Sequence, residues 1–121
     1  MTAKILVIDD DPLVRESVKR ILKREGYIPE LAESAREAVR KAGEQYFDLI
    51  ISDIRMPGKN GVEAIREIRN LFDEKARKDI PIIFITGYAE MSDELKAVHL
   101  GEVILKPFDL QRLVMTIREY L

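Results

Sequence analysis

A chain of 121 residues, 46% hydrophobic and 35% charged, has the size and composition of one folded domain, 1–121, with no room for a second core. Its 20 Lys and Arg against 22 Asp and Glu give a net charge of −2, so no general positive field points to nucleic acid. The absence of cysteine excludes disulfides, thiolate metal sites and a cysteine nucleophile. No apolar run approaches the ~20 residues of a membrane span and no signal peptide precedes the first strand-like segment, so a soluble, cytoplasmic protein is expected.

Ile5-Leu6-Val7-Ile8 is a continuous β-branched and aliphatic run that stops at acid, as a strand buried on both faces of a parallel sheet would. Asp11-Pro12 supplies an N-cap and a first-turn proline, so Asp11 reads as a cap rather than a ligand. Val14, Val18, Ile21 and Leu22 then repeat at helical spacing, with Arg15, Glu16, Lys19, Arg20 and Lys23 on a solvated face, and Gly26 closes the helix. Tyr27 to Leu31 reads as an edge strand because it carries Pro29. Ser34-Ala35-Arg36-Glu37 has the capping-box pattern and opens a second helix through Ala38, Val39 and Ala42.

Leu49-Ile50-Ile51-Ser52 is a third strand, ending at Asp53. A loop with Pro57, Gly58, Asn60 and Gly61 leads to a third helix through Val62, Ile65, Ile68, Leu71 and Phe72, and Asp73 to Asp79 reads as a polar connector. Ile82 to Ile85 is the strongest strand signal, followed by a fourth helix from near Ser92 to Leu100. Val103 to Leu105 forms the last strand, and Asp109 caps a last helix running to Leu121. Strands alternating with helices predict an α/β fold, a flavodoxin-like (βα)5 doubly wound parallel sheet of order 2-1-3-4-5. No G-x-G-x-x-G and no P-loop follows the first strand, where aspartates stand instead, so a dinucleotide or nucleotide-phosphate loop is excluded.

In such a sheet all strand C-termini share one edge, and ligands bind there. That edge collects Asp9 and Asp10, Asp53, Thr86 and Lys106. Converging carboxylates repel unless a cation intervenes, and a hard divalent ion such as Mg²⁺ accepts carboxylate, water and phosphoryl oxygens. Cation, ammonium and hydroxyl together make an electrophilic clamp for a transferring phosphoryl group, and a carboxylate left uncoordinated would be its nucleophile. Each residue alone has a plainer reading: a solvated acidic turn, a strand-end threonine, a surface lysine.

The segments Ile5 to Asp11, Asp53-Ile54-Arg55-Met56-Pro57-Gly58 with Gly61, Ile85-Thr86-Gly87 and Leu105-Lys106-Pro107-Phe108 resemble, over the whole chain, the response-regulator receiver domain of two-component and phosphorelay signalling. The resemblance implies a phosphoprotein that takes a phosphoryl group onto Asp53 from a histidine kinase or histidine phosphotransfer protein and transmits a conformational change. It implies Mg²⁺, replaceable by Mn²⁺, held by Asp10, Asp53 and the Arg55 backbone carbonyl, with Asp9 acting through water. Thr86 and Lys106 would bind phosphoryl oxygens, and Arg55 and Tyr88 would tune hydrolysis. Gly87 would leave the acceptor open, and Pro107 matches a cis-proline position. Catalysis is expected only of the domain's own phosphorylation and dephosphorylation. A downstream protein or a second copy is the expected output partner, with no direct nucleic-acid or membrane contact and no output domain within 1–121.

Two features depart from the pattern. Val103 stands three residues before Lys106, where the family often has an aromatic that swings inward, so the Thr86 loop and the fourth helix are expected to carry the response instead. Gly101-Glu102 also makes a short link into the last strand. His99 reads as a surface residue at a helix C-terminus. Leu13, Pro107 and Phe108 are candidate apolar docking contacts beside the basic face of the first helix. Two rivals stand. Asp9-Asp10-Asp11 also spells the Asp-x-Asp of haloacid-dehalogenase-like phosphatases, with Asp9 as nucleophile, although Leu13 replaces the Thr or Val expected there. A degenerate receiver acting as a phosphorylation-independent interaction module is the other.

Overall fold

The computed structural model describes residues 2–54, 61–74, 80–86, 101–105 and 109–121. Five strands, β1 (Lys4–Ile8), β2 (Ile28–Ala32), β3 (Leu49–Asp53), β4 (Ile82–Thr86) and β5 (Glu102–Leu105), form one sheet of order β2-β1-β3-β4-β5. Every pairing is parallel. The helices described are α1 (Pro12–Arg24), α2 (Ala35–Glu44), α3 (Gly61–Glu74) and the C-terminal α4 (Leu110–Tyr120). This is the predicted doubly wound, flavodoxin-like order. The helix expected over 92–100, and with it His99, lies outside the described residues.

Alternation along the strands sorts the core into two layers. Leu6, Ile8, Ile50 and Phe84 face one side and pack with Ala35, Ala38 and Ala42 of α2 and Ile65 and Ile68 of α3. Ile5, Val7, Ile51, Ile83 and Ile85 face the other and pack with Val18 and Leu22 of α1 and Leu113 and Ile117 of α4. Both faces are covered, which is why these strands are continuous apolar runs rather than alternating ones. Each fully buried Ile, Leu or Phe contributes about 1.5–3 kcal/mol relative to exposure.

The caps follow the local chemistry. The Asp11 carboxylate accepts the Leu13 N–H at 2.9 Å with Pro12 at the first helical position. Asp11 is therefore a cap, as its neighbours implied. Gly26 sits at φ +88°, and the pair Tyr27 N–H to Leu22 O (2.9 Å) and Gly26 N–H to Lys23 O (3.1 Å) closes α1 in a Schellman turn. Ser34 accepts the Glu37 N–H at 3.1 Å, and Asp109 accepts the Gln111 N–H at 2.9 Å. Most element ends fall within a residue or two of the sequence reading, and three of the differences bear on the fold. The edge strand β2 starts at Ile28 rather than Tyr27, whose N–H is spent in the turn; α3 continues through Asp73 and Glu74, which read as connector; and β5 begins at Glu102.

The edge strand is tied down by a lysine. Lys41 Nζ meets Glu30 Oε1 of β2 at 3.0 Å and Glu37 Oε1 at 3.1 Å, and donates to the Leu31 carbonyl. Burial opposes its charge, but Glu30 and Glu37 outweigh that and hold the Lys41 pKa above the ordinary 10.5. A raised folded-state pKa means the contribution is complete below the unfolded value and fades as pH rises through the folded one. Lys41→Met should lower stability by about 1–2 kcal/mol at neutral pH. In urea melts the wild-type advantage should shrink above pH 10.5. An advantage that persists unchanged at the alkaline end would contradict this assignment.

Candidate functional site

The parallel sheet brings the ends of β1 and β3 side by side, with Ile8 opposite Ser52, so Asp9 and Asp53 leave the sheet at the same level. A carboxylate oxygen from each of Asp9, Asp10 and Asp53 can be chosen so that all lie within 4.8 Å of one another. Asp9 is fully buried, Asp53 is 8% exposed and Asp10 faces solvent. One side of the cluster is thus built into the protein, and the other, at Asp10, reaches solvent.

The β1–α1 connection is held by backbone and side chain together. Asp9 N–H donates to the Ala32 carbonyl at 3.1 Å, prolonging the β1–β2 ladder. Asp9 Oδ1 accepts the Asp11 N–H at 2.9 Å. The Asp9 carbonyl accepts from Arg15 Nη1 at 2.8 Å. On the β3 side, the buried Ser52 hydroxyl donates to the Asp53 carbonyl at 2.9 Å.

The donor set fits a hard divalent cation. Two oxygens bound to one Mg²⁺ at 2.0–2.1 Å lie at most about 4.2 Å apart, slightly inside the spread of the cluster. A mixture of direct and water-bridged carboxylates is compatible with that spacing, and Asp10 is exposed to solvent. The set is oxygen-only, as Mg²⁺ and Mn²⁺ prefer.

Thr86 ends β4 one position beyond Ile85, which pairs with Asp53, and Leu105 of β5 lies opposite Thr86. The backbone order along this edge is therefore Asp9, Asp53, Thr86 and the end of β5. Arg55, Gly87, Tyr88, Lys106, Pro107 and Phe108 lie outside the described residues. Val103 pairs with Phe84 and is a partly buried residue packed against the α2–α3 layer, an ordinary core contact. Leu13, a candidate docking contact, is 77% exposed.

Two residues at this edge escaped the sequence reading. Helical spacing puts Arg15 on the solvated face of the first helix, yet its side chain is only 17% exposed. Its signal was positional: one turn into α1, its side chain leans back toward the helix N-terminus and so toward Asp9. Ser52 looked like the last strand residue, and nothing in its neighbours announced the hydroxyl bond.

Comparison with known proteins agrees with this geometry. The family model described as "Response regulator receiver domain" matches residues 5–118. The chain is 35% identical to the transcriptional regulatory protein ResD of Bacillus subtilis (strain 168) over 120 residues, covering 98% of this chain and 48% of ResD. It is 32% identical to the phosphate regulon transcriptional regulatory protein PhoB of Escherichia coli (strain K12), covering 98% of this chain and 51% of PhoB. The chain thus spans about half the length of these curated relatives. Among solved structures, the response regulator TrrA of Thermotoga maritima, crystallised in complex with Mg²⁺-BeF, superposes with a TM-score of 0.84 at 37% identity and full coverage of both chains. The Vibrio cholerae chemotaxis protein CheY4 does so at 0.86 and 32%, again with full coverage of both.

Proposed function

Since the chain belongs to the response regulator receiver domain family, we propose that it receives a phosphoryl group on the Asp53 carboxylate from a phosphohistidine of a histidine kinase or phosphotransfer protein. The observation that carries this reading is the approach of Asp9, Asp10 and Asp53 oxygens to within 4.8 Å at the ends of adjacent strands. An Asp53 oxygen forms the new bond to phosphorus as the bond to the donor's imidazole nitrogen breaks, leaving an acyl phosphate on Asp53 and a free histidine.

Asp10 and Asp53, with the Arg55 carbonyl, would hold Mg²⁺ or Mn²⁺, and Asp9 would do so through water. When bound, the cation offsets the charge that builds on the phosphoryl oxygens. The chain's own groups do the rest. The β3 terminus fixes the nucleophile, Thr86 hydrogen-bonds one phosphoryl oxygen and Lys106 pairs with another. Arg55 and Tyr88 limit the access of hydrolytic water and so set the lifetime of the acyl phosphate. With Val103 in place of an aromatic, the change passes through the Thr86 loop and the segment after it. In this proposal the only reactions catalysed are the domain's own phosphorylation and dephosphorylation. Output goes to a downstream protein or a second copy, and the work is cytoplasmic, where the phosphohistidine donor is presented.

The test is direct. Incubated with acetyl phosphate and Mg²⁺, the protein should gain the mass of one phosphoryl group, which hydroxylamine removes and a chelator prevents. Peptide mapping should place the group on Asp53. An unchanged mass with both acetyl phosphate and a phosphohistidine donor would refute the proposal. A label on Asp9 with turnover of a generic phosphomonoester would favour phosphatase chemistry instead.

A further inference from the structure

The guanidinium of Arg15 lies largely buried behind the acidic cluster and touches it through backbone rather than through a carboxylate. Its Nη1 donates to the Asp9 carbonyl at 2.8 Å, while Nη2 stands 4.0 Å from Glu33 Oε2 on the β2–α2 connection. The Asp9 peptide is consequently held from both sides, its N–H by Ala32 and its carbonyl by Arg15, and the carboxylate by the Asp11 N–H. Asp10 is the next residue along that fixed chain. We infer that Arg15 is a positioning residue of the site: by clamping the Asp9 carbonyl it holds the β1–α1 turn in the shape that presents Asp9 and Asp10 to a divalent cation. The inference rests on the cation-binding reading above and extends it to a residue that touches neither metal nor phosphoryl group.

Simple electrostatics and this role predict opposite signs. A positive charge near a divalent cation repels it, so removing Arg15 would tighten metal binding if charge alone mattered. If Arg15 orders the ligands, its removal loosens binding, and groups behind metal ligands typically matter by 10–100-fold in affinity. Two effects of opposite sign leave a net weakening of about tenfold as the expected result.

The experiment titrates the full chain with Mn²⁺, following free Mn²⁺ by electron paramagnetic resonance, without a phosphoryl donor. Wild type should bind one ion at the cluster, Arg15→Met should bind it about tenfold more weakly, and Arg15→Lys, which keeps the charge and one donor, should recover part of the loss. Thermal melts in chelator establish that each variant is folded, and Arg15→Lys is the gentler change should Arg15→Met unfold. Equal or tighter binding by Arg15→Met overturns the inference while leaving the metal site standing. Equal weakness of the Lys and Met variants also overturns it, since a donor returned to this position would then fail to restore the turn and the loss would be general to replacing Arg15. Failure of wild type to bind Mn²⁺ would overturn the site reading and this inference together.

Discussion

Asp53→Asn should take up no phosphoryl group from acetyl phosphate in Mg²⁺, a loss of at least about a hundredfold in labelling rate, because a neutral amide offers no anionic oxygen to attack phosphorus. The same substitution should not unfold the protein. Asp53 is one of three carboxylates whose oxygens come within 4.8 Å. Neutralising one relieves like-charge repulsion, so without metal the variant should be more stable by on the order of 1 kcal/mol. Labelling lost while the melting temperature in chelator rises is a combination that general damage to the fold would not produce. Asp9→Asn separates the rival chemistry. A receiver should still label on Asp53, more slowly because a metal-ordering group has been altered, whereas a phosphatase with Asp9 as nucleophile would lose labelling altogether. If Asp53→Asn continues to label at the wild-type rate, the assignment of the acceptor is wrong.

Gly101→Ala carries the largest expected structural cost away from the carboxylates. A Cβ built at this position would lie 2.3 Å from the Ile82 carbonyl oxygen and 3.0 Å from the Ile82 carbonyl carbon. The obstacle is backbone within the sheet, which cannot step aside as a side-chain tip can. Overpacking of this kind costs about 2–3 kcal/mol, which for a domain of this size lowers the melting temperature by on the order of 10 °C. Gly26 makes a useful contrast. It has nothing within 4 Å of the added Cβ but sits at φ +88°, so Gly26→Ala should cost only about 1 kcal/mol, through backbone conformation alone. A Gly101→Ala variant that melts with wild type would mean that β5 enters the sheet by another path.

Most of the architecture was legible because the local signals and the global fold agree. The runs Ile5–Ile8, Leu49–Ser52 and Ile82–Ile85 are central strands, and Asp11, Ser34 and Asp109 all cap helices as their neighbours implied. Legibility fell where a residue's role depends on something distant in sequence. The short link at Gly101 looked like a departure in loop length, but its meaning lies in the carbonyl of Ile82. Lys41 carries no local sign of its role, which depends on β2 placing Glu30 beside it. Arg15 was hidden because helical periodicity says which face a residue occupies, not that a long side chain can fold back past the helix end. The acidic site itself was readable because its members are strand-end residues, and parallel topology places strand ends together.

A sheet coated with aliphatic side chains on both faces poses a problem of phase. Where one face is wet, a slipped strand exposes its apolar set and is rejected; here a slip of one residue merely exchanges one greasy neighbour for another. The polar ends of β1 and β3 break that degeneracy. Moving β3 inward would drag Asp53 among isoleucines, with a desolvation penalty of several kcal/mol for the charge. Movement at the opposite end is resisted by the paired bonds between Lys4 and Asp48, one to the Asp48 carboxylate at 2.8 Å and one from the Asp48 N–H at 2.8 Å. The carboxylates at the sheet edge therefore act as end stops during assembly.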